Sequence, residues 1–64
     1  MGAIVEELKR IRKEKGISIS ELARRMGTDR ARISEIENGR HGLSLRRMFD
    51  WAEALGVKVE VKFY

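Results

Sequence analysis

The chain has no cysteine and no proline, and only one histidine, His41, and one tryptophan, Trp51, in 64 residues. Without cysteine there is neither a disulfide framework nor a cysteine-ligated zinc site. A single imidazole, no thiol and no acidic pair at a spacing suited to shared proton chemistry leave nothing to build a catalytic centre from. No enzyme activity, cofactor or metal is therefore expected. His41 itself reads as a loop residue in contact with phosphate or solvent. Long apolar runs are also missing: Ile4-Val5 is followed at once by Glu6-Glu7, far short of the roughly 20 apolar residues of a membrane helix. No secretory leader is legible either, so a cytoplasmic protein is expected.

What is abundant is charge, and it is unevenly placed. From Arg24 to Arg47 there are seven arginines against Asp29, Glu35 and Glu37, a net +4 that equals the charge of the whole chain. The remainder carries seven basic and seven acidic residues. A concentrated arginine excess favours a polyanionic partner. The chain is short enough for one domain at most, and a domain of this size buries only about 60% of its unfolded surface. A second copy of the chain would add the missing burial.

Four segments read as helices. Ile4, Leu8 and Ile11 recur at helical spacing among charged residues, and Gly16 closes that helix. Ser18 with Glu21 three residues on forms a capping box for a helix from Ile19 to about Met26, with Leu22, Ala23 and Met26 inward. Asp29 caps a third helix, about residues 30–37, with Ile33 and Ile36 inward. Ser44 caps a fourth, whose Leu45, Met48, Trp51, Ala52 and Leu55 follow the helical period and which stops at Gly56. The period then changes. Val57, Val59, Val61 and Phe63 alternate with Lys58, Glu60, Lys62 and Tyr64, which is a strand pattern. No other segment reads as a strand. The expected partner is the same strand of a second copy, paired antiparallel about a two-fold axis; the alternatives are a disordered tail or pairing with another protein.

Residues 17–40 carry the functional signal, with its motif over residues 20–39. Ala23 is small where two helices must approach, and Gly27, four residues later, accepts the positive φ of a tight turn. Ile33 and Ile36 then anchor the third helix on Leu22 and Met26, leaving its N-terminal end to project, a shape that fits the major groove of DNA. Leu22-Ala23, Gly27, Ile33, Ile36-Glu37 and Asn38-Gly39, followed by Ala54-Leu55-Gly56-Val57, match in order and spacing the helix-turn-helix family of phage Cro and repressor proteins, the xenobiotic-response-element family. The chain resembles that family over about residues 4–57.

The resemblance implies a mainly α fold: a four-helix, lambda-repressor-like domain spanning residues 1–64, helical over 1–56, with a dimerisation strand over 57–64. It implies sequence-specific binding of double-stranded DNA as a homodimeric transcriptional regulator on a palindromic operator. By position, Arg30, Ala31, Ser34 and Glu35 are the base-contact candidates: Arg30 for guanine, Ala31 for a thymine methyl, Glu35 for cytosine. Glu35 has an equal alternative, an ion pair with Arg32. Arg32, Asn38 and Arg40 are the phosphate candidates. Arg12 matches a first-helix arginine that pairs with the glutamate at the position of Glu37, with a secondary phosphate contact. Arg24, Arg25, Arg46 and Arg47 read as solvated residues that widen the positive field.

Two positions depart from the family pattern. Ile19 stands where a glutamine commonly clamps phosphate, and Leu43 where proline is common. The first removes a clamp or packs in an interface; the second still buries an apolar side chain. The ending Leu55-Gly56-Val57-Lys58-Val59-Glu60-Val61 is similar to antitoxins of the HipB type, which dimerise through such a strand and hold a toxin. An antitoxin with a toxin partner is accordingly one alternative. A protein-interaction module that keeps the fold without binding DNA is another.

Overall fold

The computed structural model describes residues 2–64, with four helices in the order α1 Gly2–Glu14, α2 Ile19–Met26, α3 Arg30–Glu37 and α4 Leu45–Leu55. Their starts are fixed by short oxygen-bearing side chains. Ser18 Oγ accepts from the Glu21 N–H at 3.0 Å, Asp29 Oδ1 from Arg32 at 2.8 Å and Ser44 Oγ from Arg47 at 3.1 Å. Each bond satisfies an amide that a helix N-terminus leaves without an intrahelical acceptor.

The helix ends repeat one device. After α2, Gly27 takes a left-handed conformation with φ 70°, the Thr28 N–H reaches back to the Ala23 carbonyl at 3.0 Å and the Gly27 N–H reaches Arg24 at 3.2 Å. This is a Schellman cap, which satisfies the last carbonyls and turns the chain sharply. Comparable bonds close α1 at Gly16-Ile17, α3 at Gly39-Arg40 and α4 at Gly56-Val57. Short helices joined by such turns can be packed steeply against one another without long connections.

The core lies where the four helices meet. Trp51 is at its centre, 1% exposed, with Leu22, Ile33, Ile36 and Leu55 also fully buried and Val5, Leu8, Leu43 and Met48 around them. The helix-turn-helix is the α2–α3 pair, with α4 against α2 and with α1 against both α3 and α4. Burial on α1 differs from the sequence expectation. The inward stripe is Val5, Leu8 and Arg12, while Ile4 is exposed and Ile11 only half-buried. The helix is rotated toward Arg12 because that residue has a buried partner. Leu45 follows the helical period of α4 but is exposed, and Leu43, just before the Ser44 cap, fills the core instead. Half of the expected capping box forms: Glu21 donates its amide to Ser18, but its carboxylate turns to Arg24 and Arg25.

Residues 57–64 carry no regular secondary structure in the single chain. The expected alternation is partly visible, since Val57 and Val59 are half-buried against the core while Lys58 and Glu60 are exposed. Val61 and Phe63 are exposed beyond the edge of the core. A strand needs a neighbouring strand for its backbone groups, and none exists among the described residues. No helix among the described residues is long and apolar enough to cross a membrane.

Gly27 gives a direct test of the turn. A β-carbon there meets no atom within 4 Å, so a substitution is opposed only by the left-handed backbone. Gly27→Ala is expected to lower stability by about 1–2 kcal/mol, and Gly27→Asn by less, as measured by urea denaturation. Equal stability of all three proteins would show that the turn does not depend on this conformation.

Candidate nucleic-acid interface

The outer face of α3 follows from which residues it buries. Ile33, Ile36 and Glu37 point inward. At 3.6 residues per turn this aims Ala31, Ser34 and Glu35 outward, with Asn38 continuing the same line past the helix end. Arg30, Ala31 and Arg32 are exposed, Ser34 and Glu35 half-exposed, and Asn38 and Arg40 exposed in the following loop. Ala31, Ser34, Glu35 and Asn38 therefore share one surface, with Arg30 and Arg32 on opposite flanks of the helix beside it. Arg12 lies apart from it.

Arg12 is an interior residue. Its Nε donates to Glu37 Oε2 at 2.7 Å, its Nη2 to Glu37 Oε1 at 3.0 Å and its Nη1 to the Ile17 carbonyl at 2.8 Å. All three guanidinium nitrogens are engaged and the residue is 7% exposed. The paired role implied by the family resemblance is present, and one N–H on each of Nη1 and Nη2 is left over from these three bonds. This bidentate pair joins α1 to the C-terminal end of α3 and fixes the angle at which α3 projects.

The N-terminus of α3 is occupied by a side chain of the chain itself. Asp29 accepts from the third-residue amide and sets a negative charge at the positive end of the helix dipole. Anion contacts on this surface consequently fall to side chains rather than to the helix end. Asn38 Nδ2 donates to Ser34 Oγ at 3.3 Å, tying the loop back to the helix.

The arginine cluster divides into two groups. Arg24 and Arg25 both pair with Glu21, and hydrogen bonds from these guanidiniums, Arg24 foremost, hold the Glu21 carboxyl below its ordinary range. Arg25 also donates to the Ala54 carbonyl at 3.0 Å, which bolts α2 to the end of α4. The ion pairs among the described residues are confined to Arg10, Arg12, Arg24, Arg25 and His41 with their acids. Arg30, Arg32 and Arg40, on α3 and its loop, stand outside them, as do Arg46 and Arg47 on α4. Glu35 meets His41, with Nε2 to Oε2 at 2.6 Å, and not Arg32. Ile19 is half-buried against the core of its own chain.

Two of these features had no signal in the sequence. The Arg25–Ala54 bond links positions 29 residues apart. The Glu35–His41 contact depends on the path of the chain through Gly39. Neither spacing is helical, so only the tertiary course brings the partners together. No group of three or more histidine, cysteine or acidic residues that could hold a metal occurs among the described residues.

The helix-turn-helix family model matches residues 8–62. The chain belongs to the Cro/C1-type helix-turn-helix family. That match runs from the middle of α1 into the C-terminal segment and so takes in the core, the α2–α3 pair and the loop with Asn38 and Arg40. It is a family of sequence-specific DNA binding and transcription regulation, generally without enzymatic activity. No curated protein and no solved structure matches this helix-turn-helix chain.

The Arg12–Glu37 pair can be tested by its asymmetry. Removing one partner leaves a buried uncompensated charge, so Glu37→Ala is expected to cost about 3–5 kcal/mol. The double variant Arg12→Leu/Glu37→Leu is expected to cost less than the two single Leu variants combined. Additive losses in urea denaturation would show that the two side chains contribute independently.

Proposed function

We propose that this protein is a homodimeric transcriptional regulator that binds a palindromic site in double-stranded DNA, with α3 in the major groove of each half-site. The observation that carries this reading is the exposed outward line of α3, Ala31, Ser34 and Glu35, flanked by exposed Arg30 and Arg32 and followed by exposed Arg40, three arginines with no acidic partner among the described residues. Membership of the helix-turn-helix family supports it.

Arg30 reads guanine O6 and N7, and Ala31 packs on a thymine methyl. Ser34 is a further base contact. Glu35 contributes through Oε1, because Oε2 faces His41. Arg32, Asn38 and Arg40 contact phosphate. Arg12 acts from the interior, by setting the angle of α3. The glutamine clamp lost at Ile19 is replaced by these arginines. Each half of a palindrome needs one α3, with the two lying about 34 Å apart along the duplex.

The second copy is held by residues 57–64. Val57 and Val59 begin an apolar edge on the core of the protomer, and Val61 and Phe63 extend it into solvent. Antiparallel pairing with the same segment satisfies the backbone and covers those side chains. The HipB-like ending supports an antitoxin version of this reading, in which the regulator also holds a toxin. A toxin-like reading frame adjoining the gene would favour that version.

Three outcomes test the reading. Affinity for genomic DNA fragments should fall with salt at a log–log slope of about −0.9 per neutralised phosphate, or ~−4 for a dimer using Arg32 and Arg40. Arg30→Ala should cost about 1–3 kcal/mol at one base position and relax preference there, while Arg40→Ala should weaken all sequences alike and flatten the salt slope. Salt-insensitive binding, or no binding to any duplex, would exclude the reading. Separately, light scattering should find the full chain dimeric and a version ending at Gly56 monomeric and folded; two monomers would exclude strand pairing.

A further inference from the structure

His41 and Glu35 form a contact that the DNA-binding reading does not by itself require. Glu35 lies on the outward face of α3, and His41 lies past the left-handed turn at Gly39, where φ is 74°. Their side chains are 39% and 50% exposed, and Nε2 stands 2.6 Å from Oε2. The contact thus bridges the helix to the loop that carries Asn38 and Arg40. The Arg40 N–H already donates to the Glu35 carbonyl at 2.8 Å, so backbone and side chain converge on the same residue.

The charged surroundings are few. On α3, Arg32 precedes Glu35 by three residues, and Glu37 is committed to Arg12. In the loop, Arg40 adjoins His41. Across a cleft of about 560 Å³, α1 presents Glu6 and Lys9 toward Arg40 and His41. On α4, Arg46, Arg47 and Asp50 group around Ser44. Among the described residues, His41 is the only ion-pair partner of Glu35.

A carboxylate on a surface that faces phosphate opposes binding by simple repulsion. An imidazolium beside it cancels that charge, whereas a neutral imidazole does not. Histidine is the side chain that ordinarily changes charge between about pH 5 and 8. We propose that the Glu35–His41 pair makes DNA binding by this protein proton-linked, His41 in its charged form neutralising Glu35 and positioning the 38–42 loop against α3. This inference rests on the DNA-binding reading above. The proton comes from solvent onto the imidazole, and no covalent bond to DNA is made or broken. The sign follows: binding takes up a proton, so affinity is highest at low pH and declines as pH rises through the histidine range.

The test measures affinity for a pool of randomised duplexes at constant ionic strength, at about pH 6 and about pH 8, with circular dichroism to verify folding. For the unaltered chain, affinity should fall by about three- to tenfold per protomer across that range, inside the ceiling of tenfold per pH unit, or about a hundredfold over two units, that one linked proton sets. His41→Gln should bind with little pH dependence. Glu35→Gln should bind more tightly than the unaltered chain at about pH 8 and should also lose most of the pH dependence, a rescue that a purely structural role would not produce. If Glu35→Gln keeps the full pH dependence, His41 acts on phosphate alone and the pair is overturned. Equal profiles for the unaltered chain and His41→Gln overturn it as well. Failure of every protein to bind any duplex at any pH overturns the DNA-binding reading itself, and this inference with it.

Discussion

The geometry of the outward face of α3 depends on a guanidinium and a carboxylate held out of water. Arg12 and Glu37 meet through two hydrogen bonds, and the third arginine nitrogen reaches Ile17 in the α1–α2 turn. Three parts of the chain are thereby referred to one planar group. Burying such a pair gains little net stability over an apolar substitute, because desolvation offsets much of the attraction. Its value lies in direction: a bidentate fork accepts one relative orientation, while apolar side chains tolerate several. In a domain with total stability on the order of 0.05–0.15 kcal/mol per residue, an element that removes alternative packings matters more than another methyl contact.

That constraint explains which features were legible in the sequence and which were not. The helix limits were readable because local chemistry sets them: Ser18, Asp29 and Ser44 bond amides three residues ahead, and Gly16, Gly27 and Gly56 supply the left-handed ends. The inner faces of α2 and α3 were readable because their apolar residues have no competitor. On α1 the apolar pattern suggested a face through Ile4 and Ile11, but a charged residue decides the rotation, and hydrophobic periodicity gives Arg12 no inward weight. The family resemblance supplied the Arg12–Glu37 pairing, yet not its consequence for Val5. Leu45 continued the helical period of α4, but its position at the first turn lies beyond the core that Leu43 completes.

At the surface the division is similar. Sequence spacing brought Arg30, Ala31, Ser34 and Glu35 together because helical geometry alone does so. The arginine count overstated the uncompensated charge of α2, since Arg24 and Arg25 share Glu21. Residues 57–64 mark the limit of reading one chain. Their alternating pattern is expressed only in Val57 and Val59, which lie against the core, while Val61 and Phe63 stay exposed and no strand forms among the described residues.

Trp51 closes the description from the inside. It is the single tryptophan, almost wholly buried, and its Nε1 has no hydrogen-bond acceptor among the described residues. An indole buried to this degree emits at short wavelength and shifts only when the core opens. The single tyrosine, Tyr64, lies at the opposite extreme, fully exposed in the C-terminal segment. The chain therefore carries two separate optical channels, one reporting whether it is folded and the other what happens at its end.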